Sequence, residues 1–327
     1  MRYFFIILST CLLAGCAGRP AADGQTSQTQ SKSEIQPNWP ASDIKYHDFL
    51  YAGEWDTRKP DAQSMFLVRD GRVVWQYSTP LRDADNRIHE FDDATLLPDG
   101  NIVFACMTTA GIVSPDKELL WEFHCPEGTE THSCVPVGRD SVLMALNGTP
   151  AKVLMINTRT NEVLREVVIP TSGTNSHGQF RRVRLTPEGN IMVPLKPEGK
   201  VSEFTWEGEE VWSVPAKSAW AAIRLSNGNT LISGDGEGYT REVNKAGETV
   251  WELTQQDVPF KLYNTQTACR LENGNTVICN WCAGQDTTLW KGTVQIFEVT
   301  PAKQVVWALS EWDNPDLGPA TSVEILK

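Results

Sequence analysis

The chain has 327 residues, of which 40% are apolar, and its 12 Trp residues exclude an intrinsically disordered protein. Its 41 Asp and Glu outnumber 29 Lys and Arg, so the formal net charge is −12. Binding to nucleic-acid phosphates needs clustered Lys and Arg, so we predict no nucleic-acid partner. The length allows two domains, although all-β folds of this size often form one.

The N-terminal segment has the features of an export signal. Arg2 supplies a positive charge, and residues 3–13 form an apolar run that is too short to span a bilayer permanently. The sequence Leu-Ala-Gly-Cys at 13–16 resembles the bacterial lipobox, whose Cys is lipidated. The alternative is an ordinary signal peptide followed by a chance Cys. We predict that residues 1–15 are a lipoprotein signal peptide and that Cys16 carries the lipid.

Residues 16–45 are predicted to be a flexible tether. They are rich in Gln, Ser, Thr, Ala and Pro, and this composition buries too little apolar surface to offset chain entropy. Ala17 follows Cys16 where an Asp would favour the inner membrane, so the lipobox resemblance implies the outer membrane. No later segment is apolar enough to cross a bilayer. We therefore predict a cell-envelope protein, anchored by lipid, with one folded domain at residues 46–327.

A pattern of strands and turns recurs about every 45 residues through the folded region, within the range of known repeat architectures. Each copy starts with an apolar strand that ends in a polar, usually Gly-Asn turn, and it finishes with a strand that usually contains Val-Trp or Leu-Trp. The first turns lie at 97–101, 138–141, 186–190, 226–229 and 272–275. The closing strands contain Val74-Trp75, Leu120-Trp121, Leu164-Arg165, Val211-Trp212, Val250-Trp251 and Val306-Trp307.

Four short strands in each copy predict an all-β fold, a β-propeller. One copy cannot bury both of its faces, so the copies must stack around an axis, with the repeated Trp residues between them. Six closing strands predict six four-stranded blades. The first copy lacks its opening strand, because residues 49–54 already have the pattern of a second strand. Residues 321–326 have the pattern of an opening strand, so the C-terminal strand is expected to join the first blade and close the ring.

The repeat resembles a known family of propellers. Leu-Pro-Asp-Gly-Asn-Ile-Val at 97–103, Lys-Glu-Leu-Leu-Trp-Glu at 117–122 and the copies at 225–252 and 271–307 are similar to the repeats of PQQ-like (quinoprotein-type) and arylsulfotransferase-like propellers. The resemblance covers most of residues 49–326. It implies a blade type that occurs in enzymes and in binding scaffolds alike. Members that use quinone have larger rings, a calcium site and vicinal cysteines, which this sequence lacks, so we predict no cofactor.

Three histidines are expected at one mouth of the propeller. His89, His132 and His177 begin three successive copies, in the loops that lead from the outer strand of one blade to the inner strand of the next. Imidazole at such a place can act as a general acid or base, a nucleophile or a metal ligand, or it can simply cap a strand end. We take these three residues and Arg181 as catalytic candidates, and we predict no metal site.

Aromatic and polar residues of the same loops suggest a binding surface. Indole rings stack on the CH faces of sugars, and Arg or Lys can hold a carboxylate or sulfate, although such aromatics can equally fill blade interfaces. The ligand-binding candidates are Trp55, Arg58, Lys196, Trp220, Tyr263, Asn264, Gln266 and Trp290. Arg184, Arg224 and Arg270 repeat near the opposite mouth, where they either line the channel or bind carbonyls and carboxylates of the next blade. Their repetition at equivalent places favours the structural role.

Six cysteines follow Cys16, and an exported protein permits disulfides, so their pairing stays open. No redox function is predicted, because Cys279 and Cys282 follow a strand and do not begin a helix.

We predict a lipoprotein that binds a glycan or a partner protein at one mouth of the central channel. The alternative is an enzyme that acts on a polysaccharide or sulfate ester, of lyase, glycosidase or sulfotransferase type, through a histidine at the mouth. A lyase would need a base and a cation that neutralises the substrate carboxylate, which His177 and Arg181 would supply.

Overall fold

The computed structural model describes residues 42–234 and 239–326, which form six four-stranded antiparallel sheets. The predicted signal peptide, the lipidation site Cys16 and most of the tether lie outside the described residues. The end of the predicted tether belongs to the folded domain, because Ile44 packs in the core beside Trp307. Among the described residues, no helix has the length and apolar character needed to cross a membrane.

The strands follow each other blade by blade, and the six blades are numbered here in chain order. Blade 1 contains β1 (Phe49–Gly53), β2 (Gln63–Arg69), β3 (Arg72–Thr79) and the C-terminal β24 (Ala320–Ile325). Blade 2 contains β4 (Phe91–Leu96), β5 (Ile102–Cys106), β6 (Thr109–Val113) and β7 (Leu119–His124). Blade 3 contains β8 (Cys134–Val137), β9 (Ser141–Leu146), β10 (Lys152–Asn157) and β11 (Val163–Val168).

The second half of the ring has the same order. Blade 4 contains β12 (Arg184–Leu185), β13 (Ile191–Leu195), β14 (Lys200–Phe204) and β15 (Glu210–Pro215). Blade 5 contains β16 (Ala219–Arg224), β17 (Thr230–Gly234), β18 (Tyr239–Val243) and β19 (Thr249–Leu253). Blade 6 contains β20 (Asn264–Arg270), β21 (Thr276–Trp281), β22 (Ile296–Val299) and β23 (Val305–Leu309). Short 3-10 helices lie at Ile44–Tyr46, Ser176–Gly178, Gln255–Asp257 and Thr287–Gly292.

The repeated Gly turns explain why the first two strands of a blade form a tight hairpin. Gly100, Gly189, Gly228 and Gly274 have φ between 85° and 88°, a left-handed conformation that a residue without Cβ adopts without strain. In blade 2 the amide of Leu97 donates to the carbonyl of Asn101 at 2.8 Å, which closes the turn. The same local sequence therefore produces the same turn in several blades.

The ring is closed as the sequence predicts. Strand β24 pairs antiparallel with β1, with Glu324 opposite Leu50 and Val323 opposite Tyr51. The amide of Leu326 donates to the carbonyl of Asp48 at 2.9 Å and extends this pairing. The last strand of the chain thus becomes the inner strand of blade 1, and the predicted six-bladed propeller is confirmed.

The hydrophobic core lies between the blades and not at the axis. Each of the six blade interfaces in the described part of the chain holds one cluster of buried apolar side chains. Three of the repeated Trp residues bridge the interfaces by donating the indole N–H to a turn of the next blade. Trp75 reaches the carbonyl of Pro115, Trp212 that of Lys245 and Trp251 that of Pro301, each at 2.9 Å. All six cysteines of the domain are free thiols.

The repeated arginines near the opposite mouth are structural, as expected. Arg224 of β16 pairs with Glu203 of blade 4 at 2.6 Å, and Arg270 of β20 pairs with Glu242 of blade 5 at 2.9 Å. Arg184 of β12 binds Asp93 of blade 2 with two hydrogen bonds of 2.9 and 3.0 Å. These pairs connect inner strands to other blades and surround the channel at the opposite mouth.

Candidate functional site

A pocket of about 420 Å³ opens at the mouth where the inner strands begin. Its walls come from loops that enter an inner strand and from loops between second and third strands, so they combine residues from distant parts of the sequence. The pocket is lined by Glu54, Trp55, Ile88, Glu90, Met107, Glu130, His177, Arg181, Trp220 and Trp281. Three indoles and several ionisable groups therefore face one cavity.

A chain of hydrogen bonds runs from the buried interior to this pocket. Asp92 Oδ1 lies 3.0 Å from His132 Nδ1, and His132 Nε2 lies 3.1 Å from Glu130 Oε2. The same oxygen of Glu130 lies 3.2 Å from His177 Nδ1, and Arg181 Nη2 lies 2.8 Å from His177 Nε2. A guanidinium can only donate, so Nε2 of His177 is the acceptor and Nδ1 donates its proton to Glu130.

The protonation states within this chain follow from its contacts. Burial opposes ionisation of Glu130, but hydrogen bonds from His132 and His177 outweigh it, so the pKa of Glu130 is lowered. The hydrogen bond to Glu130 favours protonated His177, yet burial and the charges of Arg181 and His132 act against it, and the pKa of His177 is lowered. Glu130 is therefore an anion and His177 a neutral imidazole near pH 7.

Two more carboxyl groups at the pocket resist ionisation. Burial, followed by the charge of Asp92, raises the pKa of Glu54 despite the opposing charge of Arg181. Burial, followed by the charges of Glu54 and Asp92, raises the pKa of Glu90 well above its ordinary value. Within the described residues, Glu90 Oε2 has no hydrogen-bond partner. Perturbed carboxyl groups of this kind concentrate at functional sites, although ion-pair networks also produce them.

The aromatic wall of the pocket is built around Trp220. Its ring centroid lies 6.4 Å from that of Trp281, 4.8 Å from the Arg181 guanidinium carbon and 3.8 Å from the Lys196 ammonium. Trp55 has φ of 57°, a left-handed backbone conformation that is uncommon for a bulky side chain. Strained conformations of this kind cluster at ligand sites, where the surrounding structure maintains them.

The expected convergence of three histidines is wrong for one of them. Ile88 and Glu90 line the pocket, but His89 between them does not, and its Nδ1 lies 2.5 Å from Thr108 Oγ1. Successive side chains of an extended segment point to opposite sides, so a pocket that receives residues 88 and 90 excludes residue 89. Only His132 and His177 come together, with ring centroids 5.4 Å apart.

Trp290 and Arg58 form a structural cluster and do not line the pocket. The side chain of Trp290 is fully buried, and its ring lies 6.0 Å from Trp312 and 5.0 Å from the Arg58 guanidinium. Arg58 is also paired with Asp56 at 2.6 Å and Asp316 at 2.9 Å. A ligand cannot stack on Trp290 in this arrangement, because protein side chains already cover the ring.

The remaining predicted ligand residues lie around or below the pocket. Tyr263 packs, like Trp55 and Trp281, against the buried cluster that contains Trp290 and Trp312, whereas Asn264 and Gln266 are buried in the first part of β20. Gln266 accepts a hydrogen bond from Thr321.

Sequence reasoning missed the acidic side chains Glu54, Glu90, Asp92 and Glu130. The spacing of Glu130 and His132, two residues apart in an extended segment, was the available signal that they share one side.

The geometry also offers a place for a cation. One oxygen of Glu130 and one nitrogen each of His132 and His177 all lie within 4.8 Å of one another. His/His/carboxylate sets of this kind are known metal ligands in proteins.

Comparisons with known proteins give the fold but no family. No family model matches the sequence, and no curated protein matches it. A protein of unknown function from Bacteroides caccae has a similar structure, with a TM-score of 0.73 and 24% identity over 85% of this chain and 98% of that chain.

The fold is also similar to that of virginiamycin B lyase. A catalytically inactive histidine-to-alanine variant of the Staphylococcus aureus enzyme, with quinupristin, gives a TM-score of 0.55 and 13% identity over 80% of this chain and 84% of that chain. A streptogramin B lyase gives 0.53 and 13% identity over 82% and 83%. These likenesses support the six-bladed propeller. They provide no match to a PQQ-like or arylsulfotransferase-like family. The resemblance of the repeats to those families is therefore supported only for the propeller fold.

Proposed function

We propose that the protein is an exported lipoprotein that binds a small ligand with flat apolar faces, such as a glycan, in the pocket at the channel mouth. The observation that carries this proposal is the grouping of Trp55, Trp220 and Trp281 around one cavity of about 420 Å³. Pockets that combine apolar walls with a few convergent polar groups are the usual form of small-molecule sites.

The residues of the pocket suggest how such a ligand would be held. The partly exposed indoles of Trp55 and Trp281 would stack on the CH faces of sugar rings, and the buried Trp220 would support them as the base of this wall. The raised pKa of Glu54 and Glu90 favours protonated carboxyl groups, which can both donate to and accept from sugar hydroxyls. Arg181 would bind an acidic substituent through charge-assisted hydrogen bonds.

A second candidate function is elimination catalysed by His177. The observation that favours it is the neutral imidazole at the end of the Asp92–His132–Glu130 chain, with Arg181 beside it. Nε2 would take the proton next to a carboxylate, and the electron pair left on carbon would form a double bond as the β-substituent leaves. A substrate carboxylate that binds Arg181 would release Nε2 from its hydrogen bond. The likeness to lyases supports this candidate only as an analogy of fold.

A screen against glycans separates these possibilities. The protein would be produced with Cys16→Ser, and binding would be measured on a glycan array, with ultraviolet absorbance used to detect unsaturated products. Trp220→Ala should abolish binding, while the control Trp206→Ala, outside the pocket, should preserve it. His177→Ala with binding retained but turnover lost would support elimination. Binding that survives both Trp220→Ala and Trp281→Ala would contradict the proposal, and capture of a partner protein by the same pocket would replace the glycan.

The lipid anchor is a separate part of the proposal. It rests on the lipobox-like sequence at 13–16. Mass spectrometry of the N-terminal peptide from membrane fractions should find acyl chains on Cys16, and Cys16→Ser should release the protein from the outer membrane. An unmodified Cys16 in the mature protein would contradict this part alone.

A further inference from the structure

We propose that Glu130, His132 and His177 form a binding site for one divalent transition-metal ion, with Zn²⁺ as the best-matched example. The ligand atoms would be Oε2 of Glu130, Nε2 of His132 and Nδ1 of His177. Oε2 lies 3.1 Å from the first nitrogen and 3.2 Å from the second. An ion bound tetrahedrally at ~2.0–2.1 Å places neighbouring ligand atoms about 3.3 Å apart, so two of the three ligand pairs already have the required spacing.

The surroundings of His132 match those of a metal ligand. Its Nδ1 lies 3.0 Å from Asp92 Oδ1, and both side chains are buried. A carboxylate on the far nitrogen fixes the proton there and directs the lone pair of the near nitrogen to the ion, as is usual for metal-binding histidines. Nε2 of His132 faces Glu130 in this orientation. The structure therefore supplies a metal ligand together with the group that orients it.

The third ligand leaves the site accessible. The side chain of His177 is 48% exposed, and Glu130 and His177 both line the pocket. Three protein ligands would thus leave a fourth position open on the pocket side for water or for a ligand group, as in catalytic zinc sites. Imidazole and carboxylate ligands with an open position favour Zn²⁺ and similar first-row ions over Ca²⁺ or Mg²⁺.

Metal binding displaces to solvent the proton that Nε2 of His132 donates to Glu130, and it requires one rearrangement at His177. When Nδ1 of His177 binds an ion, its proton moves to Nε2, which can no longer accept the hydrogen bond from Arg181 Nη2 at 2.8 Å. Arg181 must then turn to another acceptor. Among the described residues Glu90 Oε2 is buried without a partner, and the charge of Arg181 already acts on that carboxyl group. The pocket thus holds a buried carboxyl oxygen that can accept a hydrogen bond from the displaced guanidinium.

This site does not depend on the proposed glycan binding, although it lies in the same wall. Metal binding also excludes elimination by His177, because His177 with a proton on Nε2 cannot act as a base while the ion is bound. Glycan binding and metal binding can be tested separately, because Trp220→Ala should remove ligand binding and leave metal binding intact.

The test is a titration of the chelator-treated protein with Co²⁺, followed by visible absorption, and with Zn²⁺, followed by calorimetry. One equivalent should bind, with Co²⁺ bands typical of four-coordination. His177→Ala and Glu130→Gln should each weaken binding at least tenfold, and Asp92→Asn should weaken it about 10–100-fold. The matched control is His124→Ala, because His124 lies 2.9 Å from Glu122 on the surface, where adventitious metal would bind.

The outcomes are decisive in both directions. Because His177 is half exposed, His177→Ala is expected to fold, and thermal melting of each variant would check this. Binding that is lost in His177→Ala and kept in His124→Ala supports the site. Absence of stoichiometric binding, or binding that is kept in His177→Ala, overturns it.

Discussion

Replacing Arg184 by Met tests whether an ion pair across the channel stabilises the ring. The carboxylate of Asp93 is 1% exposed, and Arg184 binds both of its oxygens, at 2.9 and 3.0 Å. Removing one partner of a buried pair leaves an uncompensated charge, which costs about 3–5 kcal/mol. Asp93 would keep the Ser133 hydroxyl at 3.1 Å and Arg182 Nε at 3.9 Å. We therefore expect a loss near the lower end, about 3 kcal/mol of unfolding free energy.

Urea denaturation, followed by tryptophan fluorescence and circular dichroism, measures this loss. The control is Arg159→Met, because Arg159 pairs with Asp140 at 2.8 Å on the surface and should contribute no more than about 1 kcal/mol. The double variant Asp93→Asn, Arg184→Met should recover part of the stability, since it removes the buried charge as well. A loss below about 1 kcal/mol in Arg184→Met would mean that this buried pair does not stabilise the ring.

Three further predictions concern the core and the pocket. Glu90→Gln should stabilise the protein at pH 8, and this gain should disappear towards pH 4. Burial raises the pKa of Glu90 in the folded protein, so the free energy of unfolding declines as the pH rises through that folded-state pKa. Gln does not titrate and therefore avoids this decline. Denaturation at several pH values checks this, and an equal effect at pH 4 and pH 8 would contradict it. Gly111→Ala should lower stability by about 1–3 kcal/mol and reduce the melting temperature, because the new Cβ would lie 2.6 Å from Phe104 Cζ; an unchanged melting temperature would be inconsistent with this packing. The thiols should react with Ellman's reagent far more slowly in the native than in the unfolded protein, because burial raises the pKa of Cys125 and Cys279 to about 12; equal rates would show that they are accessible.

The fold could be predicted because its determinants are local and repeated. Turns such as that at Gly100 and closing strands such as that at Trp75 recur about every 45 residues, so the number of blades follows from counting. The missing strand before Phe49 and the unassigned strand at 321–326 could only be reconciled by joining the two ends of the chain. Closure of the ring could therefore be predicted from the number and order of the strands alone, without knowledge of any tertiary contact.

The site could be predicted only in part, because side-chain direction in loops is not a repeated feature. A shift of one residue places His89 outside the pocket, while His177 lies inside it. Burial of Trp290 depends on Trp312 and Arg58, which the chain brings together only after folding. The carboxyl groups of Glu54 and Glu90 come from different blades, so the effect of the Glu54 charge on the pKa of Glu90 cannot be predicted from sequence spacing.

We infer that the mouth with the three indoles is the functional surface of this propeller. A crystallographic fragment screen of the protein tests it most directly, since ring-containing fragments report where a surface binds small molecules. We predict that such fragments collect between Trp55, Trp220 and Trp281, within reach of His177 and Arg181. Fragments that bind the opposite mouth or the blade edges, while this pocket stays unoccupied, would contradict it.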